Sequence, residues 1–171
     1  QPLQLQIAGE GKPNIKGPKE RYFAKTTLPW MSIGYETQVP PMNILTFYNA
    51  IANNGVMVRP KFVKAAIKNG EIVKEYPTEI INPKICSERT LKQIQEILYK
   101  VVHEGLAAPA GSKQFAVSGK TGTAQENKKR PNHALFISYA PYDNPDITMT
   151  VVVPNGYTSA NAAEIARDIY K

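Results

Sequence analysis

Three strand-patterned segments follow one another near the C-terminal end of this chain: Phe115 to Gln125, His133 to Ala140 and Ile147 to Val153. Each is rich in β-branched or aromatic residues, and Tyr142-Asp143-Asn144-Pro145 supplies a turn between the last two. Parallel pairing needs a crossover of a dozen or more residues, and these links are too short to hold one. The segments are therefore expected to form an antiparallel sheet, which must be covered by helices.

The rest of the sequence supplies those helices. Met42, Leu45, Tyr48, Asn49 and Ala52 recur at helical spacing after Pro41, which suits a first turn, and Gly55 suits the C-terminal cap. Ser87 can cap a second helix from Glu88 to Glu104, with Leu91, Ile94, Leu98, Val101 and Val102 on its buried stripe and Gly105 as its stop. Ser159 is expected to cap a third, through Tyr170. Between the first two, Lys61 to Ile67 and Glu71 to Tyr76 flank Asn69-Gly70, the signature of a hairpin with a type I′ turn. Residues 1 to 30 are rich in Pro, Gly and Lys without periodicity and read as an irregular lead-in. The fold class is α+β: an antiparallel sheet flanked by helices, one domain or part of one.

Composition narrows the chemistry. The single cysteine, Cys86, excludes an internal disulfide and a cysteine-based zinc site. His103 and His133 lack metal-ligand spacing and read as packing or surface residues, so neither metal nor cofactor is expected. The net charge of +7 admits nucleic acid as a partner, but the basic residues are scattered apart from Lys128-Lys129-Arg130. No aromatic-rich RNA-binding signature accompanies them, and the triplet reads as a solvated loop. No run of about 18 apolar residues exists to span a membrane.

The segment with the most chemistry is Val117-Ser118-Gly119-Lys120-Thr121-Gly122-Thr123-Ala124-Gln125. Gly-Lys-Thr also ends the phosphate-binding P-loop, but that motif needs a glycine at position 114, where this chain has Gln114. It also needs a helix starting at the lysine, and here the β pattern continues. As a strand, the segment points Thr121 and Thr123 to one face, while Lys120 points to the other or leans over the edge. Two hydroxyls and an ammonium suit a carboxylate, and Gly122 lets an extended ligand lie close to the backbone. Free N–H groups on a strand edge can then pair with a peptide. A plain glycine-rich edge strand is the alternative on these residues alone.

Lys120-Thr121-Gly122-Thr123 resembles the KTG box of penicillin-binding proteins and serine β-lactamases, and Ala124-Gln125 continues it as in the class B penicillin-binding proteins. Ser32-Ile33-Gly34-Tyr35-Glu36, Asn43 to Pro60, Phe136 to Pro145 and Asn161 to Tyr170 resemble segments of the same class, from about residue 28 to the end. The Trp30-to-Tyr35 context is similar to the septal, FtsI-like branch, and the C-terminal third to elongation-type members. The resemblance implies the C-terminal part of a peptidoglycan D,D-transpeptidase domain, in which a serine attacks the D-Ala-D-Ala carbonyl of a stem peptide. It implies that Lys120, Thr121, Gly122 and Thr123 bind the terminal carboxylate or a β-lactam, with the Thr123 backbone N–H as an oxyanion donor. It further implies a membrane-anchored parent on the extracytoplasmic face, working with other cell-wall synthesis proteins.

One element departs from the family pattern. Three residues after Ser32, Ser87, Ser112, Ser118, Ser138 and Ser159 stand Tyr35, Thr90, Phe115, Thr121, Pro141 and Ala162, so no Ser-x-x-Lys box is present. Ser159-Ala160-Asn161 matches Ser-x-Asn but follows the KTG-like box, where the family has it before, and falls at a helix cap. The nucleophile is thus expected upstream of Gln1, and this chain alone is expected to be inactive. The rival readings are a β-lactamase or β-lactam sensor domain and a non-enzymatic basic binding module.

Overall fold

The computed structural model describes residues 2–5, 7–125 and 130–171. In chain order its elements begin with β1 (Asn14–Ile15), α1 (Thr27–Ser32), β2 (Thr37–Gln38), α2 (Pro41–Ala52) and β3 (Met57–Val58). There follow β4 (Ala65–Lys68), β5 (Glu71–Glu75), β6 (Ile80–Asn82) and α3 (Glu88–His103). A 3-10 turn at Ala108–Ala110 leads to β7 (Ser118–Ala124), β8 (His133–Ala140), β9 (Ile147–Val153) and α4 (Ser159–Tyr170). The chain divides into two compact units, Gln1–Asn43 with Pro60–Pro77, and Ile44–Arg59 with Thr78–Lys171. Lys128 and Lys129 of the basic triplet lie outside the described residues, and Arg130 is exposed.

The first unit is more ordered than an irregular lead-in. β1 pairs antiparallel with β2, and α1 lies between them in sequence. Side chains rather than periodicity organise it. The Glu10 carboxylate accepts the backbone N–H groups of Leu3, Gln4 and Leu5. The Thr27 hydroxyl, fully buried, accepts from the Ala24 N–H and donates to the Glu36 carboxylate, which Lys16 meets at 2.9 Å. Such contacts leave no repeating pattern in the sequence. The expected hairpin is β4 with β5, and Asn69 and Gly70 both take the left-handed conformation that a type I′ turn requires (φ +53° and +83°).

The second unit holds the three-stranded antiparallel sheet, in the order β7-β8-β9, with unbroken register across both pairs. Residues directly opposite one another share a face. One face carries Ala134, Phe136 and Val151, against which α4 sets Ala162, Ala163 and Ala166. Alanines let the helix approach closely, and Phe136 is completely buried beneath it. On the other face Tyr139, also fully buried, packs with Ile51 and Ala52 of α2 and Leu91 and Leu98 of α3. The expected architecture of a sheet flanked by helices is therefore present on both faces.

The helix ends follow local chemistry. Ser87 is extended and its hydroxyl accepts the Thr90 N–H at 3.1 Å, as a cap should. α2 ends with Asn54 and Gly55 both left-handed, and the Gly55 N–H closes on the Ala50 carbonyl at 2.7 Å. α4 corrects one expectation: its cap is Thr158, whose hydroxyl accepts the Ala160 N–H, and Ser159 is already helical. Only an extended residue can turn its side chain back to the first free N–H groups, and Thr158 has that backbone (φ −125°, ψ 143°). At the far end, the Tyr170 phenol and the buried Ser138 hydroxyl meet at 3.0 Å, tying α4 to β8.

Burial pushes the Tyr139 phenol up to about 12, against a smaller lowering from the neighbouring Ser118 hydroxyl. Among the described residues, neither the Ser118 Oγ nor the Tyr139 Oη makes a hydrogen bond of good geometry. A raised folded-state pKa favours the neutral phenol. Its stabilising contribution is complete below the unfolded value near 10 and is lost as pH rises through about 12. We expect Tyr139→Phe to shrink the fall in unfolding free energy between these pH values by up to roughly 2–3 kcal/mol. Denaturant titrations at stepped pH check this. The burial-raised phenols of Tyr48 and Tyr170 account for a remainder.

Candidate active-site edge

Of the strand expected over Phe115 to Gln125, Ser118–Ala124 forms β7, while Phe115 lies in a bend and Val117 and Gln125 fall just outside the strand; no helix starts at Lys120. β7 is an edge strand of its sheet. Which of its backbone groups are free follows from two hydrogen bonds at the sheet end. The Asp146 N–H donates to the Ala140 carbonyl at 3.0 Å, so Ala140 turns its backbone groups towards β9. Alternation along β8 then turns Tyr139, Ile137 and Leu135 towards β7, where they meet Ser118, Lys120 and Gly122. The Tyr142 N–H, donating to the Ala116 carbonyl at 2.9 Å, gives the same parity. Gly119, Thr121 and Thr123 therefore point their N–H and C=O groups outward, along the free edge.

The side chains fit this geometry. Thr121 lies opposite Phe136 and Thr123 opposite Ala134, so both threonines share the face that α4 covers elsewhere. Thr121 is half-buried and Thr123 exposed. Lys120, opposite Ile137, belongs to the other face. It is exposed, and its Nζ leans back to donate to the Thr121 carbonyl at 2.8 Å. That carbonyl is one of the outward groups, so the ammonium sits at the edge. The groups expected on two faces of a strand are thus brought together along its rim: one ammonium, two hydroxyls and the outward backbone groups of Thr121 and Thr123. A ligand that straddles the edge meets all of them.

Two glycines of the segment have different reasons to be glycine. A Cβ on Gly119 would lie 2.6 Å from the Ile137 carbonyl oxygen and 2.7 Å from the Phe136 ring, so internal packing demands glycine there. A Cβ on Gly122 would meet only the Leu135 Cβ, at 3.4 Å, an ordinary contact. Nothing among the described residues requires Gly122. Sequence reasoning assigned space for a ligand to Gly122 but missed the packing role of Gly119. The signal for it was a glycine and a large aromatic on neighbouring strands, visible only once their register is known.

The remaining candidates are occupied elsewhere. Ser118 is completely buried beside Tyr139. Ser32 donates to the Pro29 carbonyl, Ser87 caps α3, Ser112 accepts the Gln114 N–H and Ser138 holds Tyr170. In Ser159-Ala160-Asn161, the Asn161 amide donates to the Gly156 carbonyl at 2.9 Å, a structural bond at the start of α4. His103 stacks on Tyr99 with ring centroids 3.8 Å apart, and His133 Nδ1 accepts the Asn155 N–H. Cys86 is half-buried against the α2–α3 cluster.

An α+β domain with a carboxylate-friendly rim on an antiparallel edge strand is the class that fold and site define. The penicillin binding protein transpeptidase domain family matches residues 8–171, and this chain belongs to that family. The match begins well before residue 28 and takes in the first unit from residue 8 onward. Penicillin-binding protein 2B of Streptococcus pneumoniae is 30% identical over 168 residues, covering 89% of this chain and 24% of that protein. Peptidoglycan D,D-transpeptidase MrdA of Haemophilus influenzae is 33% identical over 158 residues, covering 80% of this chain and 24% of the relative. The solved structure of the pneumococcal penicillin-binding protein 2B superposes with a TM-score of 0.80 at 27% identity, over 98% of this chain and 29% of that one. The chain thus spans about a quarter of the length of the curated relatives it matches.

The two glycines give a direct comparison. Gly119→Ala is expected to destabilise the fold by about 1–3 kcal/mol through overpacking. Gly122→Ala is expected to change stability by less than about 0.5 kcal/mol, as ordinary surface substitutions do. Equilibrium denaturation of the two variants measures both.

Proposed function

We propose that this chain is the carboxylate-binding part of a serine-type peptidoglycan D,D-transpeptidase, acting on stem peptides ending in D-Ala-D-Ala and acylated by β-lactams. The observation that carries the reading is the β7 rim. The Thr123 N–H points out of the sheet beside the Lys120 ammonium and the Thr121 and Thr123 hydroxyls. The family membership supports it, as does Gly122, where a Cβ would meet only an ordinary contact among the described residues and an extended ligand has room to approach the backbone.

In this reading the substrate lies along the free edge. Lys120 exchanges its bond to the Thr121 carbonyl for the terminal carboxylate, which the two threonine hydroxyls also meet. A serine from outside these 171 residues attacks the penultimate D-Ala carbonyl, and the developing oxyanion is held by the Thr123 N–H and a second donor. Terminal D-Ala leaves with a proton. The amine of a second stem peptide then attacks the ester and restores the serine hydroxyl. The enzyme works on the extracytoplasmic face of the cytoplasmic membrane, anchored outside these residues, alongside other proteins of cell-wall synthesis.

Two experiments follow. In the longer enzyme, Thr123→Pro is expected to slow β-lactam acylation by roughly 100- to 1,000-fold, because proline removes the oxyanion donor, while Thr123→Ser is expected to remain within a few-fold of wild type. Stopped-flow acylation rates check this, and an unimpaired proline variant would remove Thr123 from the mechanism. The 171-residue chain alone is expected to form no covalent adduct with penicillin. A serine hydroxyl is a weak nucleophile without a positioned base, and no serine here has its lysine partner. Intact-mass spectrometry decides. A stoichiometric adduct would show that the nucleophile lies within this chain.

A further inference from the structure

Asn-Gly occurs three times in this sequence, as Asn54-Gly55, Asn69-Gly70 and Asn155-Gly156. An asparagine amide is chemically labile. The group that attacks it is the backbone nitrogen of the next residue, and glycine puts no side chain in the way. All three asparagines are exposed, and all three hold a left-handed backbone, at φ +51°, +53° and +55°. Neither the dipeptide nor the asparagine conformation distinguishes the three. Their glycines do.

Gly55 is buried in the C-terminal cap of α2, where its N–H donates to the Ala50 carbonyl at 2.7 Å. Gly156 is buried too, and its N–H donates to the Val153 carbonyl at 3.1 Å. The Ala134 Cβ and the Val153 carbonyl oxygen both stand 2.9 Å from where a Gly156 Cβ would be. Asn155 is held besides by its own N–H, which donates to His133 Nδ1. In both pairs the attacking nitrogen is engaged as a donor and walled in. Gly70 differs on each count. It is exposed at the tip of the β4–β5 turn, with nothing within 4 Å of where its Cβ would stand. Among the described residues, no turn or loop hydrogen bond holds its N–H. β5 is exposed along its whole length, so opening of the turn disturbs no core there.

We propose that Asn69 is a site of spontaneous deamidation in the folded protein, and that the fold protects Asn54 and Asn155 from the same reaction. The Gly70 nitrogen, giving up its proton, attacks the side-chain carbonyl carbon of Asn69. A C–N bond forms to close a succinimide ring, the bond to the amide nitrogen breaks, and ammonia leaves carrying that proton. Water then adds to one of the two ring carbonyls and opens the ring, leaving an aspartyl or isoaspartyl residue. Water is the one co-reactant, and base speeds the ring closure. Either product sets a new carboxylate beside Lys68 at the hairpin tip. An aspartyl residue tolerates the left-handed backbone that the turn needs. An isoaspartyl residue lengthens the main chain by a methylene, and the Lys68–Glu71 pairing next to the turn is lost. The inference does not depend on the reaction proposed for the β7 rim.

Incubation of the folded longer enzyme at mildly alkaline pH, followed by peptide mapping with mass spectrometry, tests it. The peptide holding Asn69 is expected to gain about 1 Da as NH2 becomes OH. Its conversion should run at least about tenfold faster than that of the peptides holding Asn54 and Asn155, whose glycine nitrogens must first be freed by local opening. The same incubation in denaturant is the control. There the three rates should fall within a few-fold of one another, because the dipeptide is the same. Conversion of Asn54 or Asn155 as fast as Asn69 in the folded protein would overturn the proposal. So would an Asn69 that stays intact for as long as the unfolded chain needs to convert fully. A lead of Asn69 that persists undiminished in denaturant would also overturn it, by placing the cause in the neighbouring sequence rather than in the fold.

Discussion

The Phe136 ring occupies the space where any side chain at residue 119 would stand, and β7 is laid against it at that point. This close approach fixes what the strand can present. Register in an antiparallel pair is all or nothing: a slip by one residue exchanges faces and exchanges inward for outward backbone groups. In the observed register Gly119 is pressed on Phe136, and Thr121 and Thr123 turn outward. The core residue and the rim are therefore a single constraint. α4 holds Phe136 from beneath with three alanines, and Tyr170 anchors that helix to Ser138.

A strand edge suits the recognition proposed for the rim. A face of the sheet would offer side chains of one parity, either the lysine or the threonines. The edge offers both, because the long lysine can lean over it while the short threonines stay beside it. It also adds backbone donors, whose direction is set by the sheet and costs no side-chain ordering. A lysine resting on its own strand's carbonyl satisfies an edge group that would otherwise recruit another chain.

Much of this was legible in the sequence. β8 and β9 begin and end where their patterns do, and α4 spans the expected residues. The Asn69-Gly70 turn and the Ser87 cap were readable because each rests on chemistry within four residues. The rejection of a P-loop also rested on local pattern, and β7 is a strand. What escaped was long-range or non-periodic. The lead-in is ordered by Glu10, Thr27, Glu36 and Lys16, contacts with no repeat to detect. The α4 cap slipped by one residue because Thr158 and Ser159 are chemically equivalent caps, and only the backbone conformation chooses between them. The convergence of the site at an edge needed the parity of the sheet, which no single strand reveals.

The central claim is that the Thr123 N–H is aimed at a reacting carbonyl beyond the free edge of β7. A crystal structure of the longer enzyme acylated by a β-lactam measures this directly. The account predicts the acyl carbonyl oxygen within about 2.7–3.1 Å of the Thr123 nitrogen, the range of an oxyanion-hole donor. The ligand carboxylate should lie between Lys120 and the threonine hydroxyls. An acyl oxygen held by other groups, with the Thr123 N–H turned into the sheet towards β8, would contradict it.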